Sequence, residues 1–293
     1  MNWHGPNAAR LADGRLHLQH GPIDLVIEAW GEPAEVAAAY KQAGARFGGI
    51  LEVLVQELAQ LRAPLGGAHP LLRGPVARRM LTACWPHRAR YITPMAAVAG
   101  AVADEILAAM LAGTTLSKAY VNNGGDIALH LAPGSVLTLG VVNDADNPAI
   151  DAKVALSAPM PVRGLATSGW RGRSQSLGIA DAVTVFAVDA AAADAAATMV
   201  ANAVNVEHAA ITRAPARALR ADSDLGDLPV TIAVGALPAS ARAEALESGL
   251  KTARELQRQG LIHAAYLALQ SEVRTLTAGD ALPEQARCGN AAG

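Results

Sequence analysis

The chain has 293 residues, of which 52% are hydrophobic and only 17% charged, and its formal net charge is −2. Such a composition excludes a disordered chain, and the near-neutral balance offers no field for nucleic acid or an anionic membrane. The two cysteines, Cys84 and Cys288, stand far apart without metal-ligand spacing, which fits a reducing compartment. The opening residues lack the apolar core of an export signal and no apolar run reaches membrane-spanning length, so a cytoplasmic protein is expected.

In chain order, Arg15 to His20 and Ile23 to Trp30 alternate about Gly21-Pro22 and predict a β-hairpin. A helix is expected from Pro33 to Arg62, interrupted at Gly48-Gly49. A Pro/Gly loop leads to a short basic helix, Pro75 to Cys84. Thr93 is the expected N-cap of a long helix running to Met110. Its small residues Ala96, Ala99, Gly100 and Ala103 form a smooth face, open to close packing or to a flat ligand.

Lys118 to Val121 and Asp126 to Leu131 flank Asn122-Asn123-Gly124-Gly125, a hairpin signal that also leaves backbone N–H groups bare enough to meet phosphate or a ring. Further strands are expected at Val136 to Val142 and near Val154, with a polar loop, Asn143 to Pro148, between them. The turn Thr167-Ser168-Gly169-Trp170-Arg171-Gly172-Arg173-Ser174 offers hydroxyls, backbone N–H groups and two guanidiniums for phosphate oxygens. Ala182 to Val188 is an apolar β-branched strand, and Asp189 the N-cap of an alanine-rich helix. On that helix Asp194 and Thr198 lie one turn apart on one face, a pair of hard oxygen donors of the kind Mg²⁺ or Ca²⁺ takes.

The triplet Asp222, Asp224 and Asp227 lacks the length and terminal Glu of a calcium loop and is expected to be a solvated turn. Val230 to Val234 predicts a strand, Ser240 caps a helix to about Gln259, and Leu261 to Leu269 is open between strand and helix. Hairpins mixed with long helices predict an α+β fold of mixed or antiparallel sheets, as one domain over residues 1–279 with a flexible tail at 280–293.

Taken in order, Asn122-Asn123-Gly124-Gly125-Asp126-Ile127, Thr167-Ser168-Gly169 and Ala193-Asp194-Ala195-Ala196-Ala197-Thr198 resemble the ApbE family of magnesium-dependent flavin transferases. That resemblance implies Mg²⁺ on Asp194 and Thr198, with Gly124, Gly125 and Ser168 lining a nucleotide site for FAD or a related flavin or pterin. Asn123, Asp126, Thr167, Gly169, Arg171 and Arg173 flank those positions and are candidates for the same cofactor site.

Thr93-Pro94-Met95-Ala96-Ala97-Val98-Ala99-Gly100, the loop Arg173 to Asp181, and Ser223-Asp224-Leu225-Gly226-Asp227 resemble a less characterised ApbE-like branch. That branch is associated with anaerobic sulfur-amino-acid metabolism and tetrahydromethanopterin-linked one-carbon metabolism. Where the transferases carry Ser-His-x-x-Asp-Pro-x-x-Gly, this chain has Ser174-Gln175-Ser176-Leu177-Gly178-Ile179-Ala180-Asp181, shorter and without histidine, and no imidazole is expected nearby. The expected functions are FMN transfer from FAD, a flavin or pterin carrier without transfer, or an accessory role through a protein partner. The oligomeric state is left open.

Overall fold

The structure, a computed structural model, describes residues 5–141, 152–172 and 174–277. Three strands open it: β1 (Asn7–Arg10), β2 (Leu16–His20) and β3 (Ile23–Gly31). The expected first helix breaks at its glycines between α1 (Pro33–Phe47) and α2 (Ile50–Gln56), and again at Glu57 before α3 (Leu58–Leu61). After α4 (Pro75–Cys84) come two 3₁₀ turns, Trp85–His87 and Pro94–Ala97, and then α5 (Val98–Leu111). Next are β4 (Leu116–Asn123), β5 (Asp126–Leu131), β6 (Val136–Val141), β7 (Ala152–Ser157), β8 (Gly164–Ser168) and β9 (Ala182–Ala187). The chain continues through α6 (Ala190–Ala203), β10 (Ile211–Pro215), α7 (Ala216–Leu219) and β11 (Pro229–Val234). It closes with α8 (Ala239–Arg258), β12 (Ala264–Leu269) and β13 (Glu272–Leu276). The fold is therefore α+β, as expected. The polar loop at 143–148 and the tail at 280–293 lie outside the described residues.

One nine-stranded antiparallel sheet, ordered β1-β2-β3-β4-β5-β8-β9-β12-β13, carries strands from both ends of the described chain. Its alternating residues face two layers. Leu25, Ile27, Ala119 and Val121 pack toward α1 and α5, whereas Trp30, Tyr120, Leu129 and Phe186 face the separate β6–β7 hairpin. A further cluster buries α6 and α8 against β9 and β12. Residues Pro94–Leu111 are long and apolar enough to cross a membrane by length and composition, but half of that stretch is buried among these elements.

Several expectations change in detail. Thr93 does not cap α5: a 3₁₀ turn intervenes, and its hydroxyl donates instead to Asp224 Oδ2 at 2.5 Å. Ser240 lies inside the first turn of α8, which Pro238 precedes as N-cap. Of Leu261 to Leu269, Ala264–Leu269 forms strand β12, hydrogen-bonded between β9 and β13. On the smooth face of α5, Gly100 packs against α6, since a Cβ there would lie 2.5 Å from the Ala190 carbonyl carbon, while Ala96 and Ala99 are half-buried. Close helix packing is what that glycine provides.

Candidate functional site

The β4–β5 turn is the first component. Gly124 and Gly125 have φ of 65° and 110°, the left-handed region that a two-residue hairpin turn requires and glycine alone reaches without strain. The Gly125 N–H donates to Asn122 Oδ1 at 2.8 Å, and the space where its Cβ would stand is open. Asn123, one residue on, faces the helical side, is buried, and donates from Nδ2 to the Ala99 carbonyl at the start of α5, 3.1 Å away.

Antiparallel pairing with β5 brings the end of β8 level with this turn. Asp126 is buried and its Oδ1 accepts the Thr167 N–H at 3.2 Å, while the Thr167 hydroxyl shares a 2.8 Å hydrogen bond with Thr184. Ser168 is half-buried at the strand end. The following residues serve packing. A Cβ on Gly169 would sit 2.9 Å from the Ala180 carbonyl oxygen, and the Trp170 N–H donates to that same oxygen at 3.0 Å.

Asp181, which no pattern in the sequence singles out, gathers this turn. Its carboxylate accepts from Trp170 Nε1 at 3.1 Å, from Arg171 Nε at 2.9 Å, and from the Gln270 N–H. Arg171 also lies over the Trp170 ring, 4.8 Å from its centroid. Its guanidinium is thus directed at Asp181, and a phosphate would have to compete for it. Arg173 lies outside the described residues.

The α5–α6 contact is the second component. Asp189 caps α6 as expected, accepting the Ala192 N–H at 2.7 Å. Each helix also receives a carboxylate from the other. Asp104 of α5 accepts the N–H groups of Ala190 and Ala191 at 3.0 and 2.9 Å, and Asp194 of α6 accepts the Gly100 N–H at 3.0 Å. These are unpaired helix-start donors that need an acceptor, and carboxylates there gain from the helix dipole.

Burial opposes that gain. It pushes the Asp104 carboxyl up to about 6, with Asp189 adding repulsion and the two N–H groups and Arg79 pulling back. Burial likewise holds Asp194 well above the usual carboxylate range, against the N–H groups of Gly100 and Ala99 and with Asp104 adding repulsion. The nearby Cys84 thiol is raised by burial and by Asp194. Asp194 has no cationic side chain within ion-pair distance among the described residues. The Thr198 hydroxyl, one turn along the same face, is half-buried and meets no partner among the described residues.

Asn123 and Asp194 therefore meet at the start of α5 and Asp126 holds the Thr167 N–H, whereas the Thr167 hydroxyl, paired with Thr184, faces the β6–β7 side of the sheet, away from Asp194 and Thr198. Among the described residues no group of three or more His, Cys, Asp or Glu could hold a metal. The donors present, one carboxylate and one hydroxyl, suit Mg²⁺ only with oxygens from water and a bound phosphate, the usual arrangement for that ion. A half-buried carboxylate without a counter-charge is what a cation would relieve.

One buried histidine lies on a turn packed against α6, away from the Ser174–Asp181 segment of the sequence. The Trp85–His87 turn packs against that helix, and His87 is buried, its pKa lowered to about 4 by burial and by Arg90. It is neutral at physiological pH. The aspartates of the 222–227 loop point to separate partners: Asp222 to Arg62 at 2.8 Å, Asp224 to Thr93, and Asp227 to Arg217. They anchor a loop, whose Asp224 carbonyl also accepts from the Tyr91 hydroxyl at 2.6 Å.

A nine-stranded antiparallel sheet with long helices packed on one face defines an α+β protein. The chain matches the family described as AbpE bacteria over residues 8–275, and it belongs to that family. A UPF0280 protein of Methanothermobacter thermautotrophicus is 38% identical over 134 residues, 45% of this chain and 50% of that protein. Another, from Methanosphaerula palustris, is 44% identical over 116 residues, 39% of this chain and 47% of its own. The similarity thus spans about half the length of these curated relatives.

Solved structures with related outlines include the apbe protein of Thermotoga maritima, at a TM-score of 0.36 and 15% identity, covering 89% of this chain and 78% of that one. The apo flavinyl transferase ApbE of Pseudomonas stutzeri aligns at a TM-score of 0.41 and 13% identity, covering 94% of each chain.

Proposed function

We propose that this chain is a magnesium-assisted flavin-nucleotide protein, acting in the cytoplasm as one domain, and that its reaction is transfer of FMN from FAD. The observation that carries the reading is the half-buried Asp194 carboxylate, with no cationic side chain within ion-pair distance among the described residues and the Thr198 hydroxyl one turn along α6. Family membership supports it, as does the meeting of Asn123 and Asp194 at the start of α5.

On this reading Asp194 and Thr198 hold Mg²⁺, which when bound supplies charge neutralisation for a diphosphate. The open Gly124-Gly125 turn admits a ring or phosphate close to backbone N–H groups. Asn123 and Asp126 fix that turn against α5 and β8, and Ser168 offers a hydroxyl at the rim. Arg171 contributes only if the ligand draws it from Asp181, and Arg173 remains a candidate beside it.

A second reading, a flavin or pterin carrier without transfer, is favoured by the histidine-free Ser174 to Asp181 segment. Incubating the protein with FAD and Mg²⁺, then following AMP release and identifying retained ligand by mass spectrometry, separates the readings. Released AMP supports transfer, and retained intact cofactor supports the carrier. Retention of no flavin or pterin, with calorimetry showing no Mg²⁺-dependent difference between wild type and Asp194→Asn, sinks both. An accessory role in anaerobic sulfur-amino-acid or one-carbon metabolism would then be the surviving alternative.

A further inference from the structure

A second hollow lies on the other face of the sheet from α5 and α6. Between β6 and the strands β3 and β4 runs a half-open cleft of about 560 Å³, within the range of ligand sites. Its floor includes Glu28, Trp30, Lys118 and Tyr120, and its wall is the five consecutive residues 136–140. A strand seen face-on offers alternate residues, so a consecutive run means that the cleft follows the edge of β6.

Among the described residues that edge carries hydrogen-bonding groups without a strand partner. The Ala158 N–H donates to the Ser135 carbonyl at 3.1 Å, and the register pairs Val136 with Ser157 and Leu137 with Leu156. In an antiparallel ladder the residues of each hydrogen-bonded pair turn both backbone groups inward, and their neighbours turn both outward. Residues 137 and 139 therefore face β7, while Val136, Thr138 and Gly140 direct N–H and C=O away from it. Among the described residues β6 has no other strand neighbour. A free edge beside a walled cleft is the geometry of strand addition.

The floor supplies charge. Glu28 accepts the Tyr120 hydroxyl at 3.1 Å, and the Lys118 ammonium lies over the Trp30 ring, 4.4 Å from its centroid. Among the described residues neither charge has an opposite one within ion-pair distance, and Arg15, beside Tyr120, is paired with Asp13 at 2.7 Å. Register places Glu28 opposite Tyr120 and Lys118 opposite Trp30, so the two charges lie on the diagonal. That diagonal is about 7–8 Å, close to the roughly 6.6 Å between same-face residues two apart on a strand.

We propose that this cleft docks an extended segment of a partner polypeptide as an added strand on β6, with a basic and an acidic side chain two residues apart facing Glu28 and Lys118. The proposal is independent of flavin transfer, since the metal-suited pair lies on the opposite face of the sheet. The probes are blocked five-residue peptides with a lysine and a glutamate two apart among threonines, in both orders. Peptides with two lysines or two glutamates serve as controls. Binding is read from amide shifts of isotopically labelled full-length protein.

Shifts are expected at Val136, Thr138 and Gly140 and at the Trp30 indole, with the controls about fivefold weaker, as for partly exposed ion pairs. Thr138→Pro should abolish binding and leave the thermal melt nearly unchanged, because proline is tolerated where an edge N–H faces outward. Glu28→Gln should erase the preference between charged orders while keeping edge binding. Absence of shifts at millimolar peptide, equal binding of controls, or binding that survives Thr138→Pro would overturn the proposal. So would self-association of the protein that Thr138→Pro abolishes, since the occupant would then be a second copy.

Discussion

Replacing Asp104 with asparagine tests the exchange of carboxylates between α5 and α6. The Asp104 carboxyl is raised from 3.8 to about 6 in the folded protein, mainly by burial. That rise corresponds to about 3 kcal/mol disfavouring the ionised form. Because the folded value exceeds the unfolded one, the stabilisation is fully present below the unfolded pKa and is lost as pH rises through 6. Between pH 8 and pH 5 linkage returns about 1.4 kcal/mol to the wild type. The asparagine side chain has no charge to titrate, and its single amide oxygen satisfies one of the two N–H groups of Ala190 and Ala191. The lost hydrogen bond costs about 1 kcal/mol at any pH. Urea unfolding of both proteins at pH 8 and pH 5 isolates the carboxyl, since most other groups cancel in the difference. Wild type should gain about 1.4 kcal/mol on Asp104→Asn as pH falls. Easing of Asp194 by the lost repulsion acts in the same direction. A wild-type-minus-variant difference that stays constant across this range, or changes sign, would refute the account.

Gly100→Ala should lower stability by about 1–3 kcal/mol in urea, because the new methyl meets the Ala190 backbone; an unchanged or raised midpoint, the ordinary outcome of Gly→Ala in a helix, would contradict the packing. Thr198→Val should shift the melting temperature little while removing the increment that Mg²⁺ and FAD together give the wild type, and a full increment in the variant would sink the metal assignment. Asp181→Asn weakens the tie on Trp170, Arg171 and Gln270, so stability should fall by about 1–3 kcal/mol. Tryptic cleavage at Arg171 should also quicken, and unchanged cleavage would show that the turn is held by its backbone contacts with Ala180.

Local rules place many of the elements, and tertiary contact decides the rest. Hairpin signals at Gly21-Pro22 and Gly124-Gly125 correspond to real turns because the flanking residues alternate and the glycines reach positive φ. The Gly48-Gly49 interruption does separate α1 from α2, and Asp189 does cap α6. Edge strands β1 and β13 give no sequence signal: β1 is exposed, β13 mostly half-buried, and neither has a clear apolar alternation. Strand β8 reads as turn because its small residues Gly164, Ala166 and Ser168 carry little β-branched signal, although Gly164 is small for a reason: the Asp189–Ala190 backbone occupies the place of a side chain. The roles of Asp104 and Asp181 exist only once the fold has brought distant N–H groups to them. An aspartate in the apolar run of α5 is the one visible hint of the former.

Asp194 shows where sequence order and position in space give different information. Its spacing from Thr198 makes it a metal donor by pattern, whereas its contact with Gly100 makes it the cap of a neighbouring helix. These roles do not exclude each other, since an ionised carboxylate has about four acceptor sites on two oxygens. Yet the cap has an electrostatic effect. The start of α5 is already neutralised by Asp194, so it offers little to attract phosphate, and the same carboxylate offers a cation less than a free one would. Burial pulls the other way by leaving the charge poorly solvated. With one carboxylate and one hydroxyl as side-chain donors, and magnesium reluctant to lose its waters, the balance favours an ion that arrives with its nucleotide. Calorimetry should therefore find Mg²⁺ alone weak and Mg²⁺ with FAD cooperative, and tight binding of Mg²⁺ in the absence of nucleotide would mean that further donors complete the site.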